Sequence, residues 1–98
     1  MMDSRYYILL SLKTLIGFDT YGEYFLGDDH QTADDLFNQL KGSREITTNA
    51  LLHMDLMETT DVLPLKIKTI SCTLDELAYN TKLIAREVFK LKNLEEME

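Results

Sequence analysis

Leu51-Leu52-His53-Met54-Asp55-Leu56-Met57-Glu58-Thr59 is the stretch on which the fold turns. Leu52, Met54 and Leu56 share one side of an extended chain, and His53 and Asp55 share the other. A period of two is the mark of a half-buried strand, because successive side chains of a strand point to opposite faces. Thr59-Thr60-Asp61 then reads as a turn. Leu63, Leu65 and Ile67 alternate with Pro64, Lys66 and Lys68, giving a further strand with one wet face on which the two lysines stand together. Pro64 near its start argues for a sheet edge, since proline donates no ladder hydrogen bond.

Past this hairpin the period changes. Thr73-Leu74-Asp75-Glu76 is a capping box, a threonine cap with a glutamate three residues on. Leu74, Leu77, Ala78, Ile84, Ala85, Val88 and Leu91 follow at helical spacing. With no proline or glycine to interrupt it, the helix is expected to run from Leu74 to near Glu95.

The N-terminal half repeats the order. Tyr6 to Lys13 is almost continuously apolar, as in a strand covered on both faces. Gly17 and its neighbours supply a turn, and Tyr21 to Leu26 is a second, aromatic-rich strand. Thr32 is the expected helix cap, with Asp34 and Asp35 in the first turn, where the helix dipole favours negative charge. Gly42 is the expected C-terminal stop. Thr32-Ala33-Asp34-Asp35-Leu36 stands 41 residues before Thr73-Leu74-Asp75-Glu76-Leu77, which hints at duplication. Shared helix-start chemistry accounts for the match equally well.

The expectation is therefore an α+β fold in one domain spanning residues 1–98. Two successive strand–strand–helix units, residues 5–42 and 49–95, form a four-stranded, mostly antiparallel sheet with two helices on one face. Something must then cover the second face of the apolar first strand. A homodimer does so, with Tyr6, Tyr7, Phe89, Leu94 and Met97 as interface candidates.

The chain has 98 residues, a net charge of −7 and a single cysteine. That excludes an intramolecular disulfide and a cysteine-rich zinc site, and a lone thiol fits a reducing, cytoplasmic setting. The acidic surface disfavours nucleic acid and anionic membranes, and no segment is apolar enough to span a bilayer. Between Asp19 and Asp35 stand six carboxylates and no lysine or arginine, a candidate surface for a basic protein partner.

Three constellations bear on chemistry. Asp28, Asp29, His30 and Asp34 are candidate metal ligands, but turn and helix-start roles explain them as well. Cys72 precedes a helix N-terminus, a place that activates thiols, yet Asp75 and Glu76 oppose a thiolate. His53 and Asp55 can form a pair on one strand face, but a dyad needs a nucleophile or a pocket. No cofactor motif is present: the chain has no phosphate loop, dinucleotide fingerprint or nucleophile elbow. The sequence thus points to a non-enzymatic, self-associating interaction or regulatory module. The alternative is a small enzyme or ligand-binding domain with a pocket near Cys72 and a histidine.

Overall fold

The computed structural model describes residues 5–45, 50–60 and 63–96, with side chains placed as far as residue 90. The chain is α+β. Its elements are β1 (Arg5–Thr14), β2 (Gly17–Gly27), α1 (His30–Asn38), β3 (Leu52–Thr59), β4 (Pro64–Cys72) and α2 (Leu74–Glu96). The strands form one sheet in the order β2-β1-β3-β4, with every neighbouring pair antiparallel.

The central strands β1 and β3 follow from their apolar alternation. Ile8 pairs with Leu56, Leu10 with Met54 and Leu12 with Leu52, so one face of both strands is aliphatic. Ile8, Leu52, Met54 and Leu56 are fully buried there. Tyr6, Leu26, Ala33, Leu36, Phe37, Ile70, Cys72, Leu83 and Ile84 join them in one cluster. Burying side chains of this size stabilises the fold by about 1.5–3 kcal/mol each. Pro64 opens the edge strand β4, the position that leaves its missing N–H harmless.

The lysines of β4 do not stand together. The β3–β4 register slips between Leu56 and Met57, so Lys68 stands opposite Leu56 and Lys66 opposite Met57. The slip turns the two side chains apart. Lys68 reaches α1, where its Nζ donates to Asp34 at 2.6 Å and to Asn38 Oδ1 at 3.0 Å. Lys66 lies 3.7 Å from Asp55. An extra residue in one strand breaks the period of two beyond it.

Helix α1 also begins earlier than expected. Its cap is Asp29, which accepts from Thr32 N at 3.0 Å and also from the Thr32 hydroxyl. Thr32 is therefore inside the helix and Asp34 and Asp35 stand beyond its first turn, with Asp34 used as the partner of Lys68. An aspartate three residues ahead of a threonine competes for the same cap role and wins with the stronger, charged acceptor. The match between Thr32 and Thr73 consequently pairs a residue inside a helix with a cap.

Helix α2 starts as expected. Thr73 N donates to Glu76 Oε1 at 2.9 Å and Glu76 N to Thr73 Oγ1 at 3.2 Å. Its buried stripe is narrower than expected. Leu77, Leu83, Ile84 and Val88 pack on the core, while Leu74, Ala78 and Ala85 are exposed. At about 100° per residue, Ala78 and Ala85 lie well round from the line through Leu77, Ile84 and Val88. Asn80 lies within the stripe and is completely buried.

Two hydrogen-bonded aspartates give the fold an acid limb. Asp29 is held below the ordinary 3.8 chiefly by its bonds from Thr32. Asp34 is held below it chiefly by its bond from Lys68. A carboxylate whose pKa is depressed by folding adds stability above its unfolded value, and that stability is lost as pH falls through the folded value. Urea unfolding from pH 6 to pH 2 is expected to show stability falling once the pH drops below about 4. The Asp29→Asn, Asp34→Asn double variant is expected to fall less steeply, and an unchanged slope would contradict these roles.

Candidate interaction surface

Tyr7, Leu9 and Ser11 of β1 point away from the aliphatic face. The register sets them beside Met57, Asp55 and His53 of β3, and Asp55 and His53 in turn face Thr69 and Ser71 of β4. On the other side of β1, Tyr7 pairs with Phe25 and Lys13 with Phe18. This second face is thus a mixed surface. Tyr7 and Leu9 are half-buried, whereas Phe18 is 45% and Phe25 55% exposed.

At its centre lie His53 and Asp55. The Phe18 ring stacks on His53, with centroids 4.4 Å apart and planes 15° from parallel. Asp55 is buried, and its nearest cation is Lys66 Nζ at 3.7 Å from Oδ2. Asp55 Oδ1 and His53 Nε2 are both buried with no hydrogen-bond partner among the described residues. No hydrogen bond joins the two, although they share a face. A buried, unpaired carboxylate oxygen is costly, by about 1–3 kcal/mol, and among the described residues this pair holds the buried side-chain atoms left without a hydrogen-bond partner. By sequence alone His53 and Asp55 read as a solvent-facing polar pair, and the structure instead buries Asp55. The burial of Asp55 comes from its cross-strand neighbours, which pairing register alone decides.

Cys72 is placed elsewhere. It pairs with Leu52 at the far end of β3 and β4 and lies in the core, so it and His53 belong to opposite faces of the sheet. Its thiol donates to Lys41 O at 3.4 Å and receives a contact from Asn80 Nδ2 at 3.5 Å. Burial, reinforced by the nearby Glu76 carboxylate, pushes the thiol up to about 11. Iodoacetamide at pH 7 is therefore expected to leave Cys72 of the folded protein unmodified and to label it in urea. Rapid labelling of the native chain would contradict the placement. His30, the first residue of α1, sets its ring edge against Tyr6 at 5.4 Å and is likewise remote from Cys72 by element. The structure thus gathers no thiol and histidine into one cleft.

The acidic candidates are dispersed among local tasks. Asp28 is exposed, Asp29 caps α1 and Asp34 binds Lys68. Among the described residues no group of three or more His, Cys, Asp or Glu is placed to hold a metal ion. Of the expected interface residues, Tyr6 is buried and donates its hydroxyl to Glu58 at 3.1 Å. Tyr7 lies on the second face. Phe89 is 68% exposed and lines a shallow groove with Tyr24 and Phe25 beside the β2 edge. The Leu94 side chain and Met97 lie outside the described residues.

By sequence alone the aromatics of the first hairpin suit core or dimer packing, and it is the pairing register that puts Phe18 and Phe25 on the second face, half-exposed. The turn at Gly17 was the available signal: counting back from it places Phe18 opposite Lys13. Among the described residues no helix is long and apolar enough to cross a membrane. No protein-family model matches the chain, and neither a curated protein nor a solved structure is significantly similar to it.

Proposed function

We propose that the protein is a non-enzymatic interaction module that works as a homodimer, joined through the second face of its sheet. The observation that carries this reading is that face itself, with exposed Phe18 and Phe25 and half-buried Tyr7 and Leu9 around Asp55 and His53, each of which holds one buried atom with no hydrogen-bond partner among the described residues. The reading takes each strand–strand–helix unit to lay its helix on the aliphatic face. Three contacts support that arrangement. Asp34 of α1 meets Lys68 opposite Leu56, Tyr24 of β2 meets Thr81 of α2 at 3.3 Å, and Asn80 of α2 touches Met54 at 3.5 Å. Both helices are then spent on one side, and a second copy covers the other.

Four strands spaced about 4.8 Å apart and some eight residues long present roughly 500 Å² of projected face. The contoured surface is larger, so the contact falls at the small end of stable interfaces, about 600 Å² per partner. The acidic run from Asp19 to Asp35, exposed at Asp19, Glu23, Asp28, Asp29 and Asp35, is the proposed meeting place for a basic protein partner. The cytoplasm, where a lone thiol stays reduced, is the proposed location.

Phe25→Glu tests the interface at little risk to the fold, because the ring is 55% exposed. The variant is expected to keep the wild-type melting profile at low concentration and to lose dimer by at least about tenfold in Kd, since a charge is forced into an apolar contact. Unchanged self-association of a folded variant would contradict the proposal.

A further inference from the structure

The pairing register allows a more specific statement, which rests on the dimer reading above. We infer that the two copies stack their second faces antiparallel, about a two-fold axis running across the strands at the level of Leu10 and Met54, so that His53 of each copy bonds Asp55 of the other.

The reasoning begins with the rows of the sheet. Leu10 and Met54 pair in one row. One residue to either side are the rows of Ser11–His53 and Leu9–Asp55, whose side chains point to the second face. Three residues to one side is the row of Phe25, Tyr7 and Met57. Three to the other side is the row of Phe18 and Lys13, where Lys13 N bonds Leu51 O at 2.8 Å. A two-fold axis at the Met54 row reverses strand direction and leaves each strand above its own copy. It therefore exchanges the His53 row with the Asp55 row, and the Phe18 row with the Phe25 row.

Two complementary pairs result, each occurring twice. His53 opposes Asp55, the two groups that hold buried polar atoms without partners. Phe18 opposes Phe25, two half-exposed aromatics on strand β2. In the single chain the Phe18 ring stacks on His53 and both polar atoms are buried, so the contact requires Phe18 to swing toward the partner's Phe25 and both side chains to turn outward. The competing arrangement places the axis along the strands. Over β3 that sets Asp55 against Asp55 and His53 against His53, and buried like charges are strongly disfavoured. Isologous contact requires that residue i meets j and j meets i. Only the crossed axis meets that rule with opposite partners.

The electrostatic neighbourhood of the pair agrees. Lys66 is the cation nearest Asp55, and it is 58% exposed at its side chain, too wet to satisfy a buried carboxylate alone. On the same face Glu23 of β2 stands in the Leu9 row and Lys13 of β1 opposite Phe18, so with Lys66 the face carries both signs rather than a single repelling field.

A charge swap is the test. His53→Asp leaves two carboxylates facing two carboxylates, and Asp55→His leaves imidazoles facing imidazoles. Each variant alone is expected to dimerise about 100-fold more weakly than wild type. Mixed, they restore two Asp–His contacts per dimer, and native mass spectrometry should show the heterodimer dominating both homodimers. Folded variants that show no heterodimer preference, while wild type is a dimer, would overturn this registration and leave the dimer reading standing. A monomeric wild type would overturn both. Should either variant fail to fold, a spin label on Ile16→Cys gives the answer in an otherwise native chain, because the buried Cys72 thiol does not compete for label. Ile16, 93% exposed, tips the β1–β2 hairpin. The crossed axis puts the two tips at opposite ends, on the order of 35 Å apart. A separation under about 25 Å, as for tips at the same end, would overturn the inference.

Discussion

Replacing Asn80 with alanine is expected to destabilise the protein by about 3 kcal/mol, a drop of roughly 15 °C in Tm for a chain of this size. Asn80 is the one fully buried polar side chain of α2 among the described residues. Its Oδ1 accepts from Lys41 N at 2.7 Å and its Nδ2 donates to Lys41 O at 2.8 Å. One amide thus satisfies both backbone groups of Lys41, three residues past the end of α1, tying the segment after the first helix to the second. Nδ2 also touches Met54 Sδ and Cys72 Sγ, each at 3.5 Å. Alanine removes both bonds and leaves a void against those sulfurs, and the two losses add. Asn80→Asp should be nearly as damaging at neutral pH, since it keeps the acceptor but sets a carboxylate against the Lys41 carbonyl. Thermal and urea unfolding followed by circular dichroism measure both. A Tm within about 3 °C of wild type for Asn80→Ala would mean that the Lys41 contacts contribute little.

The second large effect is expected at Gly42. A Cβ there would meet Ser71 O at 2.8 Å, Ile70 Cδ1 at 3.0 Å and Cys72 Sγ at 3.2 Å. The first contact is with backbone, which cannot swing aside. Ser43 exchanges two backbone bonds with Ser71, both at 2.8 Å, and the closeness of the two chains depends on the missing side chain. Gly42→Ala is expected to cost about 2 kcal/mol, and Gly42→Val more, by overpacking and by loosening this bridge. The residue is not a helix stop. Helix α1 ends at a Gln39 cap in right-handed conformation, and positive φ occurs among the described glycines only at Gly17 and Gly27. If Gly42→Ala unfolds at the same urea concentration as wild type, close approach is not what the glycine provides.

These two residues show where sequence and structure part. The strand β3 was readable because Leu52, Met54 and Leu56 repeat at a period that only a strand presents, and the Thr73–Glu76 box marked the start of α2 from local chemistry alone. Gly42 was visible as a special position, but its role depends on Ser71, far away in the chain. Asn80 stands three residues from both Leu77 and Leu83, inside an apolar stripe. That was the one signal for its burial, and polarity argued against reading it so. The cap of α1 was misplaced because Asp29 and Thr32 are both good caps and their competition is decided by geometry. Lys66 and Lys68 were set on one face because a register slip leaves no mark in a single sequence.

The candidate surface was legible in part. His53 and Asp55 were assigned correctly to one face, opposite Leu52, Met54 and Leu56. The burial of Asp55 and the stacking of Phe18 on His53 were not, since both arise from neighbours across strands. Phe18 and Phe25 become a pair of exposed aromatics only once β2 is registered against β1 through Lys13 and Tyr7.

Whether the protein is a homodimer is decided most directly by the mass of the wild-type protein in solution. Size-exclusion chromatography with light scattering at tens of micromolar is predicted to give twice the 11.4 kDa of the chain, shifting toward the single-chain value on dilution. A mass of 11.4 kDa at every concentration would contradict the homodimer.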